Sequence, residues 1–325
     1  MKVLVTGGSG FIGTNLVHHL TGLGYSVQSL DIAPPRNPHH AALWRHIDVC
    51  ARGSLMHAVR EFNPDVLFHL AARTDLDGAA ITDYPANVAG VTNLIEAARA
   101  TPSLQRVVFA SSRLVCKIGY QPTHNADYCP TTSYGQSKVE GERLVRAGCA
   151  GAGFSWVILR PTSIWGPWFD VPYKLFFLSV AKGRYVHPKS VKVLKSFGFV
   201  GNTVHQLELA GRAAAGKVHG KTMYLADYPP IEVSALATEV QRATGARPVR
   251  AVPLSILRAM AWAGDAAKAM GMRNPPLTSF RLDNLLTPMV HDMAPLEQLC
   301  GPLPHSTSAG VAATVAWMRA SGGLA

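Results

Sequence analysis

The residues best suited to chemistry form a short cluster. Ser133-Tyr134-Gly135-Gln136-Ser137-Lys138 reads as the opening of a helix, and Tyr134 and Lys138, at i and i+4, share one face. A free phenol titrates near about 10 and is a poor base at neutral pH. An adjacent ammonium favours the phenolate, as does a nicotinamide cation. Lowering the phenol by about 2–3 units corresponds to about 3–4 kcal/mol, which a cleft can supply. Upstream, Val107-Val108-Phe109-Ala110-Ser111-Ser112 reads as a strand that ends in hydroxyls. In an open α/β sheet, ligands sit beyond the carboxyl ends of strands, so Ser112 is placed to hydrogen-bond a reacting oxygen and Ser111 to turn the chain.

A second motif supplies a partner for that pair. Thr6-Gly7-Gly8-Ser9-Gly10-Phe11-Ile12-Gly13 carries G-x-x-G-x-x-G between a β-branched strand, Lys2–Thr6, and an apolar-periodic helix. Gly7 allows the tight turn, Gly10 lets backbone approach a pyrophosphate, and Gly13 permits close helix–sheet packing. Free N–H groups and the positive helix end meet the phosphates. Asp31 ends the next strand, where a carboxylate accepts from both ribose hydroxyls and repels a 2′-phosphate, so the cofactor expected is NAD. Asp48-Val49, after the following strand, is a candidate adenine contact.

These residues need a scaffold. Strands are predicted near 44–48, 65–70, 105–111 and 154–160, and helices near 52–62, 85–100, 133–149 and 203–215. Such alternation implies an α/β fold with a doubly wound parallel (Rossmann) sheet and a smaller C-terminal α/β substrate-binding region. The texture changes after Arg160, so 1–165 is assigned to the dinucleotide and 166–325 to the substrate. The stretch 197–228 is expected to return to the first unit.

The 325 residues are 48% hydrophobic and 16% charged, ample for a core and inconsistent with disorder or a coiled coil. Net charge is +11, unevenly placed: 14 basic and 12 acidic side chains in 1–170, 17 and 8 in 171–325. The excess points to an anionic ligand or surface. Basic and apolar residues interleave in 172–186 and 254–273, among them Lys174, Arg184, Trp262, Lys268 and Arg273, a pattern suited to an anionic membrane surface. No nucleic-acid motif accompanies the charge. Five cysteines without a C-x-x-C pair argue for a reducing, cytoplasmic setting and no zinc site. Adjacent His18-His19 and His39-His40 lack metal-ligand spacing. The opening MKVLVTGGSGFIG does not read as a signal peptide, and no run of 18 apolar residues occurs.

Taken together, TGGSGFIG, Asp31, His69-Leu70-Ala71-Ala72, Asn87, Ser111-Ser112, Tyr134 with Lys138, and LRPTSIWGP resemble the extended short-chain dehydrogenase/reductase family, in its NAD-dependent sugar epimerase/dehydratase branch. The resemblance implies Ser112, Tyr134 and Lys138 as the catalytic trio. It implies Leu70, Ala71, Ala72, Asn87 and Pro161 as cofactor-lining positions, and a homodimer through the helices at 85–100 and 133–149. It also implies Arg113, Ser163, Lys195 and Asn202 as substrate positions. Where 4,6-dehydratases of the family carry Asp-Glu, this chain has Arg113-Leu114, which disfavours dehydration. Ser163 replaces an Asn common in UDP-sugar 4-epimerases. KSFGFVGNTV, with PLSILRAMAWAGDAAKAMG and PPLTSFRL, is similar to polyprenyl-diphosphate-linked N-acetylhexosamine 4-epimerases.

The expected activity is therefore epimerisation of a diphosphate-linked sugar, carried on a nucleotide or a polyprenyl chain, through a 4-keto intermediate. The alternative is a net oxidoreductase, either a 4-keto-sugar reductase or a hydroxysteroid-type dehydrogenase.

Overall fold

A computed structural model describes residues 1–170, 172–272 and 277–324. Arg273 and Pro275-Pro276, invoked above, lie outside the described residues. The chain begins with β1 (Lys2–Thr6), α1 (Phe11–Gly22), β2 (Ser26–Asp31), β3 (Trp44–His46), α2 (Arg52–Phe62), β4 (Val66–His69), α3 (Pro85–Arg99), β5 (Arg106–Ala110), α4 (Ser133–Gly148) and β6 (Ser155–Pro161). It continues through β7 (Ser163–Trp165), α5 (Tyr173–Ala181), β8 (Val186–Pro188), β9 (Leu194–Lys195), β10 (Phe197–Phe199), α6 (Val200–Arg212), α7 (Ala215–Val218) and β11 (Lys221–Leu225). The remainder is β12 (Ile231–Glu232), α8 (Val233–Thr244), β13 (Arg250–Val252), α9 (Leu254–Ala269), α10 (Ser279–Leu286), α11 (Ala294–Cys300) and α12 (Thr307–Ala320).

Seven strands form one parallel sheet in the order β11-β6-β5-β4-β1-β2-β3. The doubly wound expectation is met. Side chains alternate across the sheet as strand geometry requires. Val3, Val5, Phe68, Val108 and Val157 face the layer that includes α1 and α6, while Leu4, Leu67, Val107 and Ile158 face α2, α3 and α4. Strand order reverses between β1 and β4, and the crevice there opens beyond their carboxyl ends. A hydrogen bond of 2.7 Å between Thr6 Oγ1 and His69 Nδ1 closes its floor.

The helix predicted at 203–215 runs instead from Val200 to Arg212. β10 leads straight into it, and Arg106 donates to the Ala210 and Ala213 carbonyls, which fixes its end. The amphipathic pattern at 172–186 also has a different use from the one expected. Phe177 and Val180 of α5 are buried in the core, and Phe177 packs on Trp165 and Phe169. That face of α5 is therefore closed to lipid, although Leu175 stays exposed. α9 differs: Ile256, Met260 and Trp262 are exposed, with Met270, Met272 and Phe280 beyond it, and only a small cluster around Leu257, Ala261 and Leu282 is covered. Among the described residues no helix is long and apolar enough to cross a membrane.

The tightest joint is at the start of α1. A Cβ on Gly13 would lie 2.0 Å from the Gly7 carbonyl oxygen and 2.8 Å from the Gly8 Cα, both backbone. Gly13→Ala is expected to lower stability by about 1–3 kcal/mol, read as a depressed thermal midpoint. Gly22→Ala, whose Cβ meets nothing within 4 Å, should be neutral or stabilising.

Candidate active site

The glycine loop approaches β4 as closely as backbone allows. Gly7 adopts φ +75°, and a Cβ there would stand 2.5 Å from the Ala71 nitrogen. α1 starts on Gly10 without a side-chain cap, so the N–H groups of Phe11, Ile12 and Gly13 are left for an anion. A Cβ on Gly10 would meet only the Gly7 oxygen, at 3.2 Å, so the space outside the loop is open. Asp31 is held at the end of β2 by N–H donors from Ser9 and Ala33, both at 3.0 Å. Arg36, the nearby cation that could favour a 2′-phosphate, is otherwise engaged. It donates to Ser9 O and Trp168 O, each at 3.0 Å, and pairs with Asp170 at 2.6 Å. These features fit a dinucleotide without a 2′-phosphate.

Other expected cofactor positions divide. Leu70, Ala71 and Ala72 are half-buried along the crevice, and Pro161 closes β6 beside it. Asp48 is exposed and accepts from the Cys50 N–H at 2.8 Å, a turn contact, and Val49 is buried. Asn87 requires correction. Both of its amide hydrogens are committed, to Arg73 O at 3.0 Å and Ser137 Oγ at 2.8 Å, and its carbonyl accepts from Arg73 N–H at 2.9 Å. It positions the loop after β4 rather than offering a free group.

α4 delivers the reactive pair. Thr132 caps it by accepting from the Gly135 N–H at 3.0 Å. Tyr134 is 7% exposed, and its hydroxyl is hydrogen-bonded with Ser112. The Ser112 oxygen accepts from the Leu114 N–H at 3.1 Å, which fixes the serine rotamer. The electrostatics reverse the expected sign. Burial pushes the Tyr134 phenol up to about 12, against the pull of Ser112 and Arg113. Lys138 does not stabilise the phenolate here, because its ammonium donates instead to the Ala110 carbonyl at 3.0 Å. Burial brings Lys138 itself down to about 8, with Glu142 opposing. His69, buried with an unpartnered Nε2, is driven down to about 3 by burial and then by Lys138, so it is neutral.

One arrangement escaped the sequence. Glu142, the next residue in the Tyr134–Lys138 stripe, and Arg160 of β6 form an ion pair, each side chain 1% exposed. Both Glu142 oxygens are used: Oε1 accepts from Arg160 Nε at 2.8 Å and Ser111 Oγ at 2.6 Å. Oε2 accepts from an Arg160 terminal nitrogen at 2.8 Å and Tyr128 Oη at 2.9 Å. The repeated i, i+4 interval was the available signal. Ser111 is thus a scaffold donor rather than a simple turn residue.

Of the expected substrate positions, Arg113, Ser163 and Lys195 converge. The Ser163 hydroxyl bonds Tyr173, and Lys195 Nζ donates to Asn284 O at 2.6 Å. Asn202 does not join them. It is fully buried, donates to Asp227 and His305 O, and accepts from the His305 N–H, so no polar atom remains for a substrate. Elsewhere, the structure does gather histidines that sequence spacing kept apart. Donor atoms of His19, His205 and Glu208 lie within 4.8 Å of one another, but the carboxylate is already engaged by Arg212 at 2.7 Å and Tyr25 at 2.9 Å.

In the protein without cofactor, no phenolate attributable to Tyr134 should form until pH about 12. Ultraviolet titration of wild type against Tyr134→Phe checks this, and a difference appearing near neutral pH would contradict the burial argument.

Residues 3–220 match the NAD dependent epimerase/dehydratase family. The chain is 34% identical over 269 residues to a 3 beta-hydroxysteroid dehydrogenase/Delta 5-->4-isomerase of Mycobacterium tuberculosis, covering 76% of this chain and 70% of that protein. It is 29% identical over 323 residues to a 2-alkyl-3-oxoalkanoate reductase of Stenotrophomonas maltophilia, covering 94% and 95%. The UDP-glucose 4-epimerase of Thermus thermophilus, solved in complex with NAD, shares the fold with a TM-score of 0.71 at 22% identity, covering 98% and 99%. Glycine loop, serine, tyrosine and lysine thus stand in one crevice of one sheet, and the chain belongs to the NAD-dependent epimerase/dehydratase family.

Proposed function

We propose that the protein is an NAD(H)-dependent oxidoreductase acting on a secondary alcohol or ketone carried by a hydrophobic skeleton, of the hydroxysteroid or long-chain type. The observation that carries this reading is the water-excluded Ser112–Tyr134 pair at the mouth of β5, with Lys138 behind it. The hydroxysteroid and oxoalkanoate relatives support the skeleton.

Gly7, Gly10, Phe11, Ile12 and Gly13 would hold the pyrophosphate, Asp31 the ribose, Asp48 and Val49 the adenine, and Leu70–Ala72 with Pro161 the remainder. When bound, NAD supplies the donor or acceptor of hydride. The chain supplies the proton. A phenol held near 12 is protonated at neutral pH, the state that gives its Oη proton to a developing alkoxide. That protonated state is the one ketone reduction uses. Ser112 supports the same oxygen. Lys138, close to its own titration point near 8, can return a proton towards the phenol side. In this reading 1–165 with 197–228 serves the cofactor, and the rest of 166–325 the substrate.

A second reading, epimerisation of a diphosphate-linked sugar through a 4-keto intermediate, is favoured by the cationic Lys195 at the same mouth. Cofactor accounting separates the two: a reductase consumes NADH stoichiometrically, whereas an epimerase turns over without added NADH. Tyr134→Phe is expected to lower the reduction rate by about 10²–10⁴-fold while leaving NADH affinity unchanged. Near-normal turnover would remove Tyr134 from the reaction.

The exposed apolar residues of α9, flanked by Arg258 and Lys268, are assigned to contact with anionic lipid, from which a hydrophobic substrate would enter. Vesicles containing phosphatidylserine should co-sediment the protein at low salt and release it at high salt, and Trp262→Ser should weaken the association. Protein that remains in the supernatant at low salt would refute the assignment.

A further inference from the structure

Arg113 follows Ser112 directly, on the short 3-10 turn Arg113–Val115 that Ser112 caps. Its side chain is half-buried. It lies within electrostatic reach of Tyr134, Tyr173 and Tyr224, and of Lys195 and His291. Those five come from α4, α5, β11, β9 and the loop before α11, so the whole mouth of the sheet is gathered around one guanidinium. Among the described residues, no carboxylate lies within ion-pair distance of Arg113 and no hydrogen bond engages its side chain. Glu142, the acid of α4 that is buried behind Tyr134 and Lys138, has both oxygens filled by Arg160, Ser111 and Tyr128. His291 adds to the imbalance. It stacks on Tyr224 with ring centroids 4.0 Å apart, and both of its ring nitrogens are buried without a partner.

Withdrawing a guanidinium from water is costly unless a counter-charge replaces the solvent. The described residues supply no such charge, while donors from His291, Tyr134 and Lys195 stand near the site.

We propose that Arg113 anchors an oxyanion, a carboxylate or a phosphate, borne by the substrate close to the reacting carbon. The substrate is then an amphipathic acid: an anionic group beside the carbinol or ketone, and an apolar body towards the α9 rim. This rests on the oxidoreductase reading and narrows it. Arg113 is a specificity-determining residue on this account, and His291 is a further donor to the same anion.

The test uses full-length protein saturated with NAD, so that the glycine loop does not bind the probe. Inorganic phosphate and succinate are titrated separately by calorimetry into wild type, Arg113→Gln and Arg113→Lys. Binding of at least one probe is expected, weakened about 10–100-fold in Arg113→Gln, as loss of a charge-assisted hydrogen bond implies. Arg113→Lys should recover part of it. Preference for phosphate identifies a phosphorylated substrate, and preference for succinate a carboxylic acid. Equal affinities in wild type and Arg113→Gln, or no binding to wild type, would overturn the proposal. Should Arg113→Gln fail to fold, unaltered binding by Arg113→Met would overturn it equally. Failure of the oxidoreductase reading is distinct: wild type and Tyr134→Phe would then be indistinguishable in ketone reduction, whatever the anion data show.

Discussion

The buried carboxylate of Glu142 anchors the helix that carries Tyr134 and Lys138. It ties that helix, α4, to two neighbouring strands of the sheet: the end of β5, through Ser111, and β6, through Arg160. An ion pair with each side chain 1% exposed is not a free source of stability, since both charges were dehydrated to make it. Its effect is geometric. Removing one member would strand the other at a cost of about 3–5 kcal/mol, so α4 has little freedom to rotate or slide against the sheet. Catalytic geometry tolerates little looseness, and this clamp restricts it.

The same exclusion of water explains the titration behaviour. Desolvation raises the phenol, lowers the ammonium and keeps His69 neutral. All three shifts move towards the uncharged form, as burial requires. The crevice around Tyr134 thus tends to neutrality while the adjoining mouth holds two cations, Arg113 and Lys195. On the proposed function, cations at the mouth would favour anionic ligands there.

Much of this was legible in the residues because it is local. G-x-x-G-x-x-G after a β-branched strand needs only its own thirty or so neighbours, and Tyr134 with Lys138 needs only the helical repeat. Helix periodicity shows which side chains share a face. It does not show how much water reaches them, and in the chain without cofactor burial raises the Tyr134 phenol where its lysine neighbour alone suggests lowering. Long-range partners were equally hidden. Nothing adjacent to Asn87 announces Ser137, nothing adjacent to Asn202 announces Asp227 or His305, and each amide looked available until its partners were in view. The segment around α5 shows the same ambiguity in apolar form, since its aromatic residues suit a lipid surface or a core and only packing decides.

The route of the chain through the sheet also bears on how the protein can be divided. β11 covers the outer edge of β6, pairing Lys221–Leu225 with Val157–Pro161, although residues 162–220 intervene. α6 arrives by the same detour and covers Phe68, and Arg106 of β5 caps its end. A fragment severed after the first 165 residues would keep every residue proposed to contact the nucleotide yet bare the edge of β6 and remove α6 from its side of the sheet. Residues 1–165 are therefore not a detachable cassette, and grafting or swapping schemes must carry residues 197–225 along with them.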